Sequence, residues 1–229
     1  MKNEIKGMIF DLDGVITDTA KYHYFAWKRI SNELGLYFDE RMNEALKGID
    51  RFESLNIILK KNNRDVSYEE KENITRSKNK YYLEYIREMT SDDLFPGVPG
   101  LFDTIKSRGM KMALASSSKN SMLIIDKLKI SDYFDAIVDP NQIKTGKPDP
   151  EIFIAAAGLL SVDCGLCAVV EDSEAGLIGA RRAGMLGIGI GKKRVLYTYD
   201  LIYSNIAEVD MDEVLSCLKD RDTFKVKSQ

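Results

Sequence analysis

Short apolar runs recur along the chain, each closed by polar residues and followed by helical periodicity. Gly7-Met8-Ile9-Phe10 ends in Asp11, and Lys111 to Ala115 ends in Ser116-Ser117-Ser118. Ala136-Ile137-Val138 leads through Asp139-Pro140 towards Lys147, and Leu166 to Val170 ends in Glu171-Asp172. Leu186 to Ile190 is a further run of the same kind. Runs this short and this continuously apolar suit strands buried on both faces. Their alternation with helical segments predicts a parallel sheet covered on both sides. Asp149-Pro150 offers a capping residue ahead of a proline suited to a first helical turn. Ser173 is placed to cap a helix over 174–183 that Gly184 can end. Asp210 and Glu213 have capping-box spacing ahead of Val214-Leu215.

Between about Thr19 and Glu88 the pattern changes. No run reads as a strand, and apolar residues recur at helical spacing: Tyr24, Trp27 and Leu34, then Leu55, Ile58 and Leu59. Ser67-Tyr68-Glu69-Glu70 opens a long helix towards Tyr85 and Ile86 with a capping box. Phe95-Pro96-Gly97-Val98-Pro99-Gly100 closes the block ahead of a helix over 100–108. The expected architecture is α/β: a Rossmann-like parallel-sheet core from residues 1–16 and 91–229, with a separate all-helical module, residues 17–90, inserted after the first strand. Lys219 to Gln229 reads as a polar tail.

Composition narrows the function classes. The chain has 229 residues, 44% hydrophobic and 30% charged, which suits a globular protein with a sizeable core. Its net charge of −3, from 33 basic and 36 acidic residues, argues against a nucleic acid or an anionic membrane as partner. The longest apolar run, Ile152 to Leu160, falls short of the ~18 residues a membrane span needs. Asp11 and Asp13 interrupt the apolar N-terminus where a signal-peptide core would continue. Three cysteines, an odd number, make no disulfide framework, so a reducing cytoplasm is the expected setting. A single histidine excludes most multi-histidine metal sites.

In open parallel sheets, ligand groups gather at the carboxyl ends of the strands. Here those ends carry Asp11 and Asp13, Ser116, Lys147 just beyond the third strand, and Glu171-Asp172. Carboxylates placed close together repel unless a cation sits among them, and oxygen-only ligands suit Mg²⁺. A lysine, a hydroxyl and a serine-rich helix start opposite them suit a phosphate. Together they form a constellation for phosphoryl transfer. Within Asp11-Leu12-Asp13-Gly14, residues two apart on extended chain project to one side, and Gly14 frees the chain to turn. One carboxylate can then attack phosphorus while the other handles a hydroxyl proton.

Phe10-Asp11-Leu12-Asp13-Gly14-Val15 resembles the first motif of the haloacid dehalogenase superfamily, and Ser116, Lys147 and Glu171-Asp172 match its second, third and fourth motifs in order. The resemblance implies that Asp11 is a nucleophile forming an aspartyl-phosphate and that Asp13 is the general acid/base. It implies that Ser116 and Lys147 hold the phosphoryl group, that one Mg²⁺ is bound by Asp11, Asp13, Glu171 and Asp172, and that the helical module is a cap. Thr17 to His23 with Ala26-Trp27-Lys28 is similar to the first cap helix of the β-phosphoglucomutases. Leu46-Lys47-Gly48-Ile49-Asp50-Arg51 resembles their sugar-phosphate loop, and Ala113 to Asn120 their phosphate loop. That family interconverts β-D-glucose 1-phosphate and D-glucose 6-phosphate through a bound glucose 1,6-bisphosphate, so two phosphates must be held. The likeness implies phosphate binding by Ser116, Ser117, Lys119, Asn120 and Lys147. It implies substrate binding by Thr19, His23, Trp27, Lys47, Gly48 and Arg51, with Arg51 gripping the distal phosphate and His23 orienting Asp13. Asp50 departs from the small hydroxyl residue expected beside that arginine. Sugar phosphates are the expected partners and a monomer the expected state.

The plainer readings are set beside these. Asp-x-Asp-Gly alone is common in turns, Lys147 alone reads as a solvated loop lysine, and Ser116 can be a helix cap. Trp27, four residues from His23 on one helix face, reads first as packing. Cys164-Gly165-Leu166-Cys167 lacks the further ligands zinc wants and any thioredoxin-like context, so it reads as incidental thiols. Gly187-Ile188-Gly189-Ile190-Gly191 lacks the third glycine of a dinucleotide fingerprint at its spacing. Lys192-Lys193-Arg194 reads as a solvated loop. A small-molecule phosphatase acting on sugar phosphates or phosphoglycolate is the alternative function. A catalytically silent binding protein is disfavoured by the intact Asp11, Asp13, Lys147 and Asp172.

Overall fold

The structure is a computed structural model, and it describes residues 4–46, 49, 51–192 and 195–217. The chain divides into two compact units, one of residues 1–18 and 91–229 and one of residues 19–90.

The larger unit is built on a six-stranded sheet ordered β3-β2-β1-β4-β5-β6. Its strands are β1 (Gly7–Phe10), β2 (Lys111–Leu114), β3 (Ala136–Ile137), β4 (Cys167–Glu171), β5 (Leu186–Ile190) and β6 (Leu201–Tyr203), and every pairing is parallel. Gly7 to Phe10 pairs with Lys111 to Leu114 on one side and with Cys167 to Val170 on the other. β1 is therefore central, and all four of its residues are buried. Successive side chains leave opposite faces of the strand. Ile9 joins a core cluster with Ile152, Phe153 and Ala156, whereas the Phe10 ring meets Phe102 edge-on at 5.0 Å.

Helices α5 (Val98–Ser107), α6 (Ser121–Lys127), α7 (Glu151–Leu160) and α8 (Glu174–Arg182), numbered after four in the other unit, belong to the larger unit. α5 begins at Val98, two residues ahead of the expected start, because Pro99 suits the first turn and Gly97 takes the left-handed φ of +92° that precedes it. The expected cap of α7 also differs. Pro150 occupies the cap position, while Asp149 Oδ1 accepts the Glu151 N–H at 2.9 Å. Residues 211–217 are helical, with Asp210 Oδ1 accepting the N–H groups of Asp212 and Glu213. The third strand is two residues long, and β6 carries no run that the apolar pattern singles out. The glycines of β5 clear space for packing: Gly189 sits under Leu196, Leu177 and Ile202.

The smaller unit contains α1 (Ala20–Leu34), α2 (Glu40–Ala45), α3 (Arg51–Lys61) and α4 (Tyr68–Arg87), with no strand among its described residues. Its core gathers Trp27, Ile30, Phe38, Leu55, Ile58 and Leu59. α1 ends at Gly35, whose φ of +67° is the left-handed stop. α4 opens with the Ser67–Glu70 capping box, in which each side chain accepts the other's backbone N–H.

Candidate active site

Asp11 follows the last residue of β1, and its N–H donates to Val170 O at 3.0 Å, which ties the end of β1 to β4. Beyond it the chain folds into a tight turn: Ile16 N–H donates to Leu12 O and Gly14 N–H to Thr17 O, each at 2.9 Å. Gly14 has φ +79°, and a Cβ there would overlap the Asp172 carboxylate. The glycine thus serves both the turn and the approach of the fourth strand end.

Lys147 reaches across to this place. Its Nζ donates to Asp11 Oδ1 at 2.6 Å and to Glu171 Oε2 at 2.7 Å, with the Phe153 ring 5.2 Å away. The other Glu171 oxygen accepts Ser173 Oγ–H at 2.7 Å and the N–H groups of Ser173 and Asp172. Ser173 Oγ in turn accepts Gly176 N–H at 3.1 Å, so one hydroxyl both caps α8 and orients Glu171. Gly176 has no side chain because the Glu171 carboxylate fills that space.

The electrostatics follow from this crowding. Burial pushes the Asp11 carboxyl up to about 7, against the pull of Lys147 and with the repulsion of Glu171 and Asp13. Asp172 is pushed up to about 8 by withdrawal from water, then by Glu171 and Asp11. Part of the Asp172 surface still reaches solvent. Burial opposes the Lys147 ammonium, yet Asp11 and Glu171 outweigh it and hold its pKa above the ordinary lysine range. Oxygens of Asp11, Glu171 and Asp172 lie within 4.8 Å of one another. An oxygen-only donor set under mutual repulsion fits a hard divalent cation such as Mg²⁺.

The end of β2 lies alongside. Phe10 is level with Leu114, and Ala115 N–H donates to Phe10 O at 2.8 Å. Ser116 is buried, and its Oγ accepts Ser118 N–H at 3.1 Å, which leaves the hydroxyl proton for another acceptor. Ser117 and Lys119 are exposed, Asn120 is half-buried at the start of α6, and Ser117 and Lys147 line one cavity of about 130 Å³. The larger unit therefore brings Asp11, Asp13, Lys147, Glu171 and Asp172 together, with the Ser116–Asn120 loop on the neighbouring strand end.

In the helical unit, buried Thr19 stands at the N-cap of α1, its carbonyl accepting the N–H groups of Tyr22 and His23. Trp27 is buried in the unit's core. His23 Nδ1 lies 2.7 Å from Lys78 Nζ, and its ring lies 4.2 Å from Tyr82. Sequence reasoning did not single out Lys78, which is 2% exposed and lies near the rings of Trp27 and Tyr82. The signal was present: Lys78 shares the buried stripe of α4 with Tyr82 and Ile86 at four-residue spacing. Burial and Arg51 lower the Lys78 ammonium to about 7. Burial, then Lys78 and Arg51, hold His23 well below the ordinary histidine value, so the ring is neutral. Arg51 opens α3, its pKa lowered by burial. Lys47, Gly48 and Asp50 lie outside the described residues, as do Lys193, Arg194 and residues 218–229. Cys164 and Cys167 carry free thiols, and burial pushes Cys167 up to about 12, as suits an inert core thiol. Among the described residues no helix is long and apolar enough to cross a membrane.

Known proteins resemble this chain along most of its length. A β-phosphoglucomutase of Bacillus subtilis (strain 168) is 43% identical over 210 residues, 91% of this chain and 93% of that protein. A crystal structure of a β-phosphoglucomutase from Clostridium difficile superposes with a TM-score of 0.86 at 39% identity, covering 96% of this chain and 99% of that one. A phosphorylated carbohydrates phosphatase of Thermotoga maritima is 30% identical over 184 residues, 79% of this chain and 82% of that protein. The model of the haloacid dehalogenase-like hydrolases matches residues 5–184. That segment supplies every strand end at which the carboxylates and Lys147 meet, and the chain belongs to the haloacid dehalogenase-like hydrolase family.

Proposed function

We propose that the protein is a Mg²⁺-dependent β-phosphoglucomutase, interconverting β-D-glucose 1-phosphate and D-glucose 6-phosphate. The observation that carries this reading is the 43% identity to the Bacillus subtilis enzyme over 91% of the chain. In it, a carboxylate oxygen of Asp11 attacks a phosphorus of the priming glucose 1,6-bisphosphate, and the bond from that phosphorus to the sugar oxygen breaks. Asp13 protonates the departing oxygen, and Asp11 is left as an aspartyl-phosphate. A sugar hydroxyl then attacks that phosphorus, the bond to Asp11 breaks, and Asp13 takes the hydroxyl proton. The resulting glucose 1,6-bisphosphate reorients and returns its other phosphoryl group to Asp11, the bond to the sugar oxygen breaking as Asp13 gives that oxygen its proton. Lys147, already paired with Asp11, and the hydroxyl of Ser116 hold the transferred group.

Asp11, Glu171 and Asp172 with their carboxylates, and Asp13 with its backbone carbonyl, would hold Mg²⁺, whose charge offsets that of the carboxylates and the phosphoryl oxygens. Residues 17–90 are the cap in this reading. Thr19, His23, Trp27, Lys47, Gly48 and Arg51 serve the sugar phosphate there, Arg51 with its planar fork taking the second phosphate. Ser117, Lys119 and Asn120 assist from the loop after β2. Lys78 joins His23 as its hydrogen-bond partner.

The test is a coupled assay for glucose 6-phosphate formed from β-glucose 1-phosphate with priming bisphosphate, with the α-anomer as control. A sugar-phosphate or phosphoglycolate phosphatase is the second reading, favoured by the 30% identity to the Thermotoga maritima phosphatase. It predicts release of inorganic phosphate without glucose 6-phosphate. Arg51→Ala separates the two: mutase turnover is expected to fall at least about 100-fold, as on losing a charged contact worth ~3 kcal/mol, while monophosphate hydrolysis persists.

A further inference from the structure

Lys147 stands in a turn rather than on a helix or strand, yet its ammonium meets two carboxylates at 2.6 and 2.7 Å. The turn itself is closed by Asp149 N–H donating to Gly146 O at 3.0 Å. Ile143 packs against the core cluster ahead of the turn, whereas Lys144, Thr145 and Gly146 are exposed, and Gly146 and Lys147 border the cavity of about 130 Å³. Between Ile143 and Lys147 something besides core contact must fix the backbone that aims this side chain.

Glu151, the first residue of α7, supplies it. Its Oε2 accepts Lys144 N–H at 3.1 Å and Thr145 N–H at 2.8 Å, and its Oε1 accepts Lys144 N–H at 3.1 Å. These two backbone donors hold its carboxyl below the usual glutamate range. A second tie comes from α8, where Arg182 Nη1 donates to Pro148 O at 3.1 Å. The segment ahead of Lys147 is thus fastened to α7 and the residue after it to α8.

We propose that Glu151 is a positioning residue for Lys147: by gathering the N–H groups of Lys144 and Thr145 it sets the turn so that the ammonium meets Asp11 and the bound phosphoryl group. The proposal rests on the reading of Lys147 as a phosphate-holding residue, and it applies to a mutase and a phosphatase alike. The contacts make an unusual demand on chemistry. One oxygen, Oε2, accepts from both donors, so an amide of the same length can stand in for the carboxylate, whereas a shorter carboxylate cannot reach.

The test measures binding of inorganic phosphate in the presence of Mg²⁺, and of Mg²⁺ alone, by calorimetry on the full chain. Glu151→Gln is expected to bind phosphate like the wild type. Glu151→Asp, which keeps a negative charge in the first turn of α7 and with it the favourable dipole interaction, is expected to bind phosphate about tenfold more weakly. Glu151→Ala is expected to match Glu151→Asp, and in both Mg²⁺ alone binds as before. In a Lys147→Ala background, Glu151→Asp is expected to cause no further loss, since the two act as one unit. Three results would overturn the proposal: equal loss of phosphate and Mg²⁺ affinity, wild-type phosphate binding by Glu151→Asp, or additive losses in the double variant. If Lys147→Ala alone binds phosphate normally, the reading of Lys147 fails and the proposal with it. If glucose 6-phosphate never forms but the phosphate pattern holds, only the mutase assignment fails.

Discussion

At Gly14 the chain turns with φ +79°, and the hydrogen standing in for a side chain faces the Asp172 carboxylate. Gly14→Ala meets both a backbone penalty and a steric one, and about 1–3 kcal/mol of stability is expected to be lost. Mg²⁺ affinity is expected to fall with it, because Asp172 must move; thermal unfolding and a Mg²⁺ titration check the two effects. Lys78 gives a second residue-level prediction. Its ammonium is lowered to about 7 in the folded chain against 10.5 ordinarily, so above about pH 7 the unfolded chain binds more protons there. Stability therefore rises with pH across that window. Relative to Lys78→Met, the wild type is expected to gain on the order of 1–2 kcal/mol between pH 7 and 9, read from thermal unfolding at each pH. The Asp11-Leu12-Asp13-Gly14 motif is legible because its meaning lies in adjacent residues. Lys78 is not, because its partner His23 lies 55 positions away and a lone lysine in a helical stripe usually reads as solvated.

The start of α8 shows how one element carries several duties. Ser173 caps the helix through Gly176 N–H and donates to Glu171, which pairs with Lys147. Ser173→Ala is expected to cost about 1 kcal/mol from the lost cap. It is also expected to weaken phosphate binding, since Glu171 then loses a hydroxyl donor; unfolding curves and a phosphate titration measure these separately. The cap itself was readable from Ser173 and Gly184, as was the start of α4 from Ser67 and Glu70, because capping uses neighbours within one turn. β6 was not readable: Leu201 to Tyr203 is half-buried and is a strand because β5 pairs with it. The Gly187–Gly191 run shows the same limit. Its glycines make room for Leu177 and Leu196 rather than for a nucleotide, and both neighbours lie outside β5 itself.

For the whole molecule, the carboxylate cluster couples metal, proton and fold. Burial and the crowding of carboxylates push the Asp11 and Asp172 carboxyls well above their ordinary 3.8, so without a cation the folded state retains protons that the unfolded state releases. In metal-stripped protein these two groups lower stability as pH rises from about 4 to 8. Added Mg²⁺ is expected to reverse that loss, with the larger rise in melting temperature at the higher pH, and to release protons on binding, seen as a buffer-dependent calorimetric heat. The order of Asp11, Ser116, Lys147 and Glu171-Asp172 at strand ends, the parallel α/β alternation and the helical stretch between the first two strands are all legible along the chain. Hydrophobic period, turn residues and motif spacing act over a few residues and survive in a linear text. Only the tertiary structure decided that Lys147 lies against Asp11, 136 positions away, that Lys78 meets His23, and that Glu151 ties down the Lys147 turn. Those contacts depend on strand register and helix packing, and hydrogen bonds that need angstrom-scale placement exist only once every intervening element has its position.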